Sequence, residues 1–347
     1  MSSLSSTAAP SVNALRSPSR SLLFTALSAL ALVGCREERV APPAPSAAPP
    51  PASPTASASV ALDPAPTPVA SSAAEACAID AGASDAGDFD VGAWSDPGCP
   101  EGMARGGRFC IDRWEAHLIK RGPAGEAIPL SPCDRPSAEG GYEARSEPGV
   151  FPQAYISRVE SARACKNAGK RLCSMTEWHR ACEGKKGSVY PYGDHWIAKK
   201  CNSDRPHLLS IRFGTDARHW RYEDFNDPTL DQEPGFLEKT GAFDQCGGDF
   251  GVYDLVGNLH EWVSDTVDGA LIQQLETEDV NRNHQPSNPG NGVFLGGFFS
   301  THQELGPGCK FTTVAHEPGY HDYSTGFRCC APAPERPLNL TKPTRRR

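Results

Sequence analysis

The cysteines constrain the fold of this chain more than any other feature. Thirteen occur in 347 residues, and twelve of them follow residue 76. None of the twelve belongs to a Cys-x-x-Cys pair. Zinc sites use closely spaced ligands, so this spacing argues against metal binding, whereas an even number of cysteines in an oxidising compartment indicates up to six disulfides. The sequence therefore predicts a loop-rich domain held together by disulfide bridges.

Spacing alone determines little of the disulfide connectivity. Cys99 and Cys110 are close enough in sequence to pair across a hairpin. Cys329 and Cys330 are neighbours, and adjacent side chains diverge on a strand, so we expect these two cysteines to bind different partners. The other pairings stay open at this level.

An export signal at the N-terminus accounts for the oxidising compartment. Arginines precede an apolar stretch, residues 22–33, which is too short to stay in a membrane as a spanning helix. The stretch ends in Leu32-Val33-Gly34-Cys35, which resembles the bacterial lipoprotein box. In that box the cysteine is acylated and becomes the first residue of the mature protein. The alternative is an ordinary signal peptide followed by an incidental cysteine.

The lipoprotein resemblance implies that residues 1–34 are the signal peptide and that Cys35 is the lipidated residue. The lipid bilayer is then a partner of the protein. Arg36, rather than an aspartate, follows the cysteine, which favours the outer membrane, facing the periplasm or the cell surface. We therefore expect a lipid-anchored protein of the bacterial cell envelope.

Composition separates a tether from the folded part of the chain. Ten of the thirty residues from 41 to 70 are proline, and most of the others are Ala, Ser, Thr or Val. Such a segment buries too little apolar surface to offset its ordering entropy, so residues 35–98 are predicted to be a disordered tether. A basic disordered tail, 333–347, leaves 99–332 as one folded domain. The net charge of −8 argues against nucleic acid as a partner.

Two short helices are predicted within the domain. Each begins at a serine followed three residues later by a glutamate, the spacing of a capping box, and each ends at a glycine. The two helices lie between Ser157 and Gly169 and between Ser174 and Gly184. The expected buried faces consist of Val159, Ala162 and Cys165 in the first helix and of Trp178, Ala181 and Cys182 in the second.

Short strands are predicted at 108–112, 252–255, 293–297 and 326–330. Low helix content, abundant turn residues and the absence of an internal repeat favour an irregular α+β domain.

A series of motifs occurs in one order along the domain. Its members are Phe109–Glu115, Ala168–Trp178, Tyr190–Gly193, Phe250–Trp262, Gly296–Gly297 and Gly326–Cys329. In sequence and in order they resemble the motifs of the formylglycine-generating-enzyme, or sulfatase-modifying-factor, family. The resemblance implies a loop-rich fold related to that of C-type lectins. Trp114, Trp178 and Trp262 lie inside the motifs and are expected in the core.

The segment from Asp254 to Glu261 has the residue types of a calcium site. Carboxylates are hard oxygen donors, and Gly257 and Asn258 permit a tight turn that directs main-chain carbonyls inward. The family resemblance implies a structural calcium ion held by the side chains of Asp254 and Glu261 and by the carbonyls of Gly257 and Leu259. The alternative is that the two carboxylates cap turns.

The resemblance implies further ligands and bridges. A second calcium loop of the family starts at the positions of Asn202 and Ser203, although its other half is not recognisable here. Two disulfides are implied, Cys165–Cys329 and Cys182–Cys309. Both of them tie a predicted helix to the C-terminal strands.

The catalytic cysteines of the family are missing from this chain. The family's oxidases use two cysteines after the Gly-Gly motif to bind copper(I), to activate O₂ and to oxidise a cysteine of a sulfatase. Copper(I) is a soft ion that requires thiolate ligands. No cysteine lies between Gly297 and Cys309, and Thr301 occupies the first catalytic position. Copper is therefore not expected as a cofactor.

Three functions are compatible with these observations. The first is a noncatalytic binding or scaffold module for an unidentified envelope protein or ligand, which would use a groove made by Phe299, Ser300, Thr301 and His302. The second is an oxidase that converts a cysteine of a sulfatase-like protein to formylglycine.

The third function is another metal-dependent oxidoreductase built on the same fold. His302, His316 and His321 offer a metal site for it.

Overall fold

The computed structural model describes Cys77, Asp96 and the ranges 98–137, 139–277, 288–302 and 308–334. Every described residue belongs to the second of the chain's two units, residues 67–347. The predictions for the signal peptide, for Cys35 and for the basic tail beyond residue 334 lie outside the described residues. Within the described part of the chain, no helix is long and apolar enough to cross a membrane.

Short strands and short helices alternate along the second unit. The strands are β1 (Met103–Arg105), β2 (Phe109–Asp112), β3 (His117–Arg121), β4 (Ala127–Pro129), β5 (Glu143–Arg145), β6 (Arg171–Leu172), β7 (His260–Thr266), β8 (Gly292–Leu295), β9 (Thr312–Thr313), β10 (Thr325–Phe327) and β11 (Cys329–Pro332). The helices are α1 (Arg158–Asn167), α2 (Met175–Glu183), α3 (Leu208–Phe213), α4 (Tyr222–Phe225) and α5 (Gly269–Thr277). Helices and strands are therefore both present, as the α+β prediction requires.

The strands form three small sheets. One has the order β1-β2-β11-β6, so it joins the first strands of the domain to the last. The second has the order β10-β7-β8-β9, in which β10 and β7 are parallel. The third consists of β4-β3-β5. Because β10 and β11 belong to different sheets, the short segment around Arg328 connects the two larger sheets.

Both predicted helices are confirmed, together with their capping boxes. The Ser157 hydroxyl accepts from the Glu160 N–H, and the Glu160 carboxylate accepts from the Ser157 N–H at 2.9 Å. Ser174 and Glu177 repeat both contacts at the start of α2. A capping box satisfies main-chain donors that the helix itself leaves free, so the local sequence is sufficient to start these helices.

The predicted buried face is correct for α2 and partly correct for α1, in which Cys165 is buried and Ala162 is half-buried. Trp178, Ala181 and Cys182 are buried. In α1, however, Val159 is 45% exposed, and Glu160 and Ser161 take the inward positions. The polar side chains tolerate burial because Ser161 donates to the Ser157 carbonyl at 2.8 Å and Glu160 accepts from the helix cap.

The strand predictions succeed in part. Those at 108–112 and 293–297 correspond to β2 and β8, and that at 326–330 is divided into β10 and β11 at Arg328. The strand predicted at 252–255 is wrong, since this segment makes only an isolated bridge between Tyr253 and Gly247. Asp254 has a φ of +58°, which turns the chain out of an extended conformation.

Six disulfides cross-link the domain. They are Cys77–Cys133, Cys99–Cys110, Cys165–Cys329, Cys173–Cys330, Cys182–Cys309 and Cys201–Cys246. The set contains the predicted hairpin bridge and both pairs that the family resemblance implies. Cys329 and Cys330 bind different partners, as expected for neighbours on a strand.

The folded part reaches upstream of Cys99. The Cys77–Cys133 disulfide holds Cys77 against the domain, within a segment that composition predicts to be tether. Asp96 is also bound, because its carboxylate accepts from the Arg105 N–H at 2.6 Å and lies 3.5 Å from the Arg113 guanidinium. A long proline-rich run therefore predicts disorder for residues 41–70 but says nothing of the residues that follow it.

Candidate functional site

The Asp254–Glu261 segment forms a tight turn that leads into β7. Asp254, Gly257 and Asn258 all have positive φ, between +57° and +80°. The Gly257 N–H donates to the Gly296 carbonyl at 3.1 Å, and the Asn258 N–H donates to the Asn202 carbonyl at 2.8 Å. A Cβ on Gly257 would come within 2.0 Å of the Asn202 oxygen. Only glycine fits this close approach, so the turn and the Asn202 loop form one packed unit.

Glu261 is held by Arg328 in the interior. The Arg328 Nε and a terminal nitrogen each lie 2.6 Å from an oxygen of Glu261, and the Trp178 indole donates to Glu261 at 2.8 Å. Burial lowers the pKa of Arg328, but the neighbouring Glu261 carboxylate and two further carboxylates outweigh it, so the pKa is raised overall. Arg328 therefore stays charged although it is completely buried.

Two further carboxylates face the same guanidinium. Glu115 accepts from the Asn258 amide at 2.5 Å and from the Leu259 N–H at 3.0 Å, while Asp254 accepts from the Gly241 N–H at 2.7 Å. Burial raises the pKa of Asp254 to about 6. Burial, followed by the charges of Asp254 and Glu261, raises the pKa of Glu115.

The carboxylate cluster fits the charge and the donor type of a calcium ion. With all three carboxylates ionised, the cluster would carry two negative charges beyond that of the Arg328 guanidinium, and a divalent cation would balance them. Glu261 is already shared with Arg328 and Trp178, and no three His, Cys, Asp or Glu side chains among the described residues are placed to hold a metal. An ion at Asp254 and Glu261 therefore depends on the Gly257 and Leu259 carbonyls. The calcium assignment stays a prediction.

The loop of Asn202 and Ser203 contains a hydrogen-bonded amide. The Asn202 side chain donates to the Phe236 carbonyl at 2.7 Å and to the Asn258 side-chain oxygen at 2.9 Å, and it accepts from the Arg205 Nε at 3.2 Å. A guanidinium thus already contacts the amide oxygen that a second calcium ion would use. The second calcium site stays a prediction.

The four residues of the predicted groove differ in their accessibility. Phe299 is completely buried against Phe236 and Tyr323. Ser300 donates to the Pro206 carbonyl at 2.9 Å, and the Thr301 hydroxyl accepts from the Phe298 N–H at 2.9 Å. Only His302 is exposed, and its Nδ1 contacts the Asp204 carboxylate. The front of the groove is therefore formed by Thr301 and His302, with Phe299 in the core behind it.

A small surface pocket lies at Thr301 and His302. It is also lined by Tyr190, Trp196, Ser203, Val256, Gly296 and Gly308. Its water-accessible volume is about 10 Å³, which is room for roughly one water molecule. The aromatic wall was not assigned a role from sequence, although the Tyr190–Gly193 motif, which closes on itself through two main-chain hydrogen bonds, marks its position.

The three histidines of the alternative metal site have different surroundings. His316 stacks between Tyr320 and Phe294, with ring centroids 3.8 and 5.7 Å away. His321 packs against Tyr222, and His302 contacts Asp204. The metal-dependent activity that would use these histidines stays a prediction.

Two residues with a central place in the site were not assigned a role from sequence. Glu115 and Arg328 lie at the ends of recognised motifs, but their partners are distant along the chain. The Arg328–Glu261 contact spans 67 residues and the Glu115–Asn258 contact spans 143. The structure points to them, because each is a charged residue that is completely buried.

Comparison with known proteins identifies proteins that are similar to this chain. Inactive C-alpha-formylglycine-generating enzyme 2 of Bos taurus is 32% identical over 147 residues, which cover 39% of this chain and 42% of the relative. Formylglycine-generating enzyme of Bos taurus is 28% identical over 187 residues, which cover 52% of this chain and 44% of the relative. The chain thus spans less than half of the length of either relative. Among solved structures, CarF has a TM-score of 0.37 at 15% identity, over 65% of this chain and 87% of that chain.

A family model described as sulfatase-modifying factor enzyme 1-like domain matches residues 67–333. The match includes Cys77 and extends upstream of Cys99, as the structure does. It covers most of the chain, including all the motifs that position the carboxylate cluster and the pocket. The chain therefore belongs to the sulfatase-modifying factor enzyme 1-like family, whose domain has a C-type lectin-like fold.

Proposed function

We propose that this protein is a noncatalytic member of its family, a binding or scaffold module anchored at the bacterial cell envelope. The observation that carries the proposal is the use of the cysteines. The twelve from Cys77 to Cys330 form six disulfides, and the thirteenth is Cys35, where the lipoprotein box predicts acylation. No thiol then remains to bind copper(I), which requires thiolate.

The environment of Thr301 supports this proposal. Its hydroxyl closes a turn with the Phe298 N–H and is almost fully buried, so the side chain has a structural role. A hydroxyl does not replace the thiolate that copper(I) requires. The sequence that follows, 303–307, contains no cysteine. Formylglycine formation from a substrate cysteine therefore has no copper-binding residues in this chain.

One relative gives independent support. The relative from Bos taurus that is 32% identical is named an inactive formylglycine-generating enzyme. The family thus includes a member named as inactive, and we place this chain in the same functional class.

The pocket at Thr301 and His302 suits only the tip of one side chain of a partner protein. Pockets for small-molecule ligands enclose several hundred Å³, far more than the volume here. The walls combine the rings of Tyr190 and Trp196 with the hydroxyl of Ser203 and the imidazole of His302. Aromatic rings and a few polar groups are typical of protein recognition surfaces. The tip of a polar side chain of an envelope protein is the proposed occupant.

Three measurements test whether the protein oxidises a substrate cysteine to formylglycine. They are a thiol titration of the denatured, unreduced protein, a copper analysis and an aldehyde assay on a cysteine-containing sulfatase peptide. We expect no free thiol in the acylated protein, no stoichiometric copper and no aldehyde. Two free thiols with one copper(I) and aldehyde formation would show instead that the protein is an oxidase.

Binding at the pocket is tested by placing a photoreactive amino acid at position 302 in cells that produce the protein. We expect cross-links to a single envelope protein, and we expect Trp196→Ala to abolish them. A probe at Ile197, which is 47% exposed beside the pocket, is the matched control. Equal cross-linking from both positions would contradict recognition by the pocket.

The lipid anchor is tested separately. We expect radiolabelled fatty acid to be incorporated into the wild-type protein and not into a Cys35→Ser variant, and we expect the variant to leave the outer-membrane fraction. Labelling that persists in Cys35→Ser would contradict acylation at Cys35.

A further inference from the structure

A group of basic side chains lies beside the small surface pocket. Residues 180–200 include five Lys or Arg and two acidic residues, in a chain whose net charge is −8. Lys185, Lys186 and Lys199 are exposed, and Lys200 is half-buried. Because acidic residues outnumber basic ones in the whole chain, this local excess of positive charge sets the region apart. The name basic surface is used below for Arg180, Lys185, Lys186, Lys199 and Lys200.

Aromatic rings hold three of these cations in place. The Lys200 Nζ lies 4.6 Å from the centroid of the Tyr192 ring. The Phe250 ring has two cations over it, the Lys185 Nζ at 5.8 Å and the Arg180 guanidinium at 5.3 Å. A cation–π contact favours one position of a flexible side chain and leaves its charge intact. The three charges are therefore positioned in advance for an anionic partner.

The Tyr192 ring connects the basic surface to the pocket. It stacks on the ring of Tyr190, a wall of the pocket, with the centroids 5.4 Å apart. The Tyr192 hydroxyl accepts from the Ile197 N–H at 3.3 Å, and Ile197 follows Trp196, the second aromatic wall. The Lys200 N–H donates to the Ile197 carbonyl at 3.2 Å. A side chain that enters the pocket therefore has the Lys200 ammonium group only one ring away.

The cations over Phe250 belong to the same region. A Cβ on Gly248 would lie 3.6 Å from the Pro191 carbonyl oxygen, so the main chains of these two segments are in close contact. Tyr192 follows Pro191 directly, and Phe250 comes two residues after Gly248. The two aromatic rings that carry the cations therefore flank one contact between segments, and their cations form a continuous surface.

The carboxylates of this region are bonded within the fold. Glu183 forms an ion pair with Lys310 at 2.9 Å, which neutralises its charge. Asp249 accepts from the Lys185 main-chain N–H at 2.8 Å, and Asp194 accepts from a main-chain N–H at 3.4 Å. Among the residues that the structure describes, positive charge therefore remains in excess here.

We propose that the basic surface binds an acidic segment of the envelope protein whose side chain enters the pocket. The inference rests on the proposed function, because the pocket fixes the position of the partner. Charges at the rim of an interface select the partner and speed its association. An anionic lipid surface fits less well, because membrane-binding surfaces expose several large apolar side chains, and Ile197 is the only exposed one between residues 180 and 200.

Two synthetic peptides test the proposal on the purified wild-type protein in detergent. One is a short fluorescent peptide of alternating Asp and Ser, and the other has Asn in place of every Asp. In fluorescence anisotropy we expect the acidic peptide to bind at least about ten-fold more tightly at low salt. This difference should disappear at about 1 M salt, where the Debye length is about 3 Å. Equal affinities of the two peptides at low salt would overturn the proposal.

Paired substitutions locate the binding site of the acidic peptide. Lys199→Gln combined with Lys200→Gln should weaken binding about five-fold, since two exposed ion pairs are lost. The matched control, Lys120→Gln combined with Lys166→Gln, removes two exposed lysines elsewhere and changes the net charge equally, and it should leave the affinity unchanged. Equal weakening in both double variants would show that the peptide responds to net charge alone, which would overturn the proposal.

Acetylation of lysine amines distinguishes a lipid partner. The wild-type protein is reconstituted in vesicles of phosphatidylcholine, with or without phosphatidylglycerol, and the modification of Lys199 and Lys200 is compared with that of Lys120. We expect the relative rates to be the same in both vesicles. Protection of Lys199 and Lys200 by phosphatidylglycerol would assign the basic surface to lipid and would overturn the proposal.

Photo-cross-linking from position 302 in cells separates this proposal from the proposed function. We expect Lys199→Gln combined with Lys200→Gln to reduce the yield of the cross-linked envelope protein about five-fold. An unchanged yield would overturn the acidic partner and leave recognition by the pocket intact. Absence of cross-links without these substitutions would instead contradict recognition by the pocket, and with it the partner proposed here.

Discussion

Arg328 and Glu261 form a two-point ion pair in the interior, with each guanidinium–carboxylate contact at 2.6 Å. Arg328 also donates to the carbonyls of Asp112, Arg113 and Tyr253. It thus connects the end of β2, the turn before β7 and the break between β10 and β11. One side chain satisfies five acceptors that two separate sheets leave free, which explains why a charge is retained in this position.

Removing one partner of this pair should destabilise the domain strongly. Among the described residues, Arg328→Met leaves the buried Glu261 with only the Trp178 indole as a donor, and we expect a loss of about 3–5 kcal/mol in the free energy of unfolding. Urea denaturation under nonreducing conditions measures the loss.

A double-mutant cycle separates the ion pair from the packing of the side chain. Arg328→Met combined with Glu261→Gln should be less destabilised than the sum of the two single variants, because neither charge is left alone. Arg218→Gln, which removes an exposed ion pair with Asp216, should produce no measurable change. A loss in Arg328→Met no larger than in Arg218→Gln would contradict the assigned role.

Two disulfides end at the adjacent cysteines Cys329 and Cys330, and the losses of stability on removing them should be strongly nonadditive. Cys165–Cys329 and Cys173–Cys330 join the same two segments, at sequence separations of 164 and 157. While one bridge persists, removal of the other opens only a short loop and costs about 3 kcal/mol at most on the chain-entropy model. Removal of both also loses the restraint on the longer loop, about 4–5 kcal/mol on the same model, so the two removals together cost about 7–8 kcal/mol.

Alanine pairs measure this difference. We expect the free energy lost when both bridges are removed to exceed the sum of the two single losses. Cys99–Cys110, with a separation of 11, closes a separate hairpin. The loss of stability on removing it together with either of the other two bridges should therefore be the sum of the single losses. Additive losses for the bridges of Cys329 and Cys330 would show that these two bridges do not restrain the same loop.

Local patterns in the sequence predict part of the structure. Capping boxes and tight turns are local, so Ser157 with Glu160 and Gly257 with Asn258 indicate their conformations without knowledge of the rest of the chain. The hairpin pairing of Cys99 and Cys110 is local as well. The family resemblance supplies the long-range pair Cys165–Cys329, which spacing alone leaves open.

The interactions that sequence patterns miss depend on tertiary packing. Arg328 and Glu115 are charged, and a charged residue alone gives no indication that its partner lies far along the chain. Val159 follows the apolar spacing of an inward face, yet the capping carboxylate of Glu160 takes that face because its hydrogen bonds are satisfied there. Apolar periodicity therefore fails where a buried polar group has complete partners.

His117 should make stability depend on pH. Burial, followed by the charges of Arg145 and Lys170, lowers the pKa of His117 to about 4. The unfolded chain has a pKa near 6.5 and therefore takes up a proton first as the pH falls. The contribution of His117 is complete above about pH 6.5 and is lost between about pH 6.5 and 4, by about 3 kcal/mol.

Unfolding by urea across this pH range provides the measurement. His117→Phe lacks the titrating group, so the difference in stability between wild type and variant should change in favour of the variant as the pH falls from about 7 to 4. His219→Phe, at an exposed position, should follow the wild type. A constant difference between wild type and His117→Phe would contradict the assigned pKa.

Gly257 should be far less tolerant of substitution than a glycine with a similar backbone in open space. Gly257 and Gly187 have φ values of +80° and +73°, but a Cβ at Gly187 meets nothing within 4 Å, whereas at Gly257 it meets the Asn202 carbonyl oxygen at 2.0 Å. Gly187→Ala therefore isolates the cost of the left-handed backbone, about 1–2 kcal/mol. Gly257→Ala adds a main-chain collision that breaks the Asn258–Asn202 hydrogen bond, so its loss in the free energy of unfolding should be clearly larger. Equal losses in the two variants would show that the turn moves away from the Asn202 loop without cost, and that the two segments are not one packed unit.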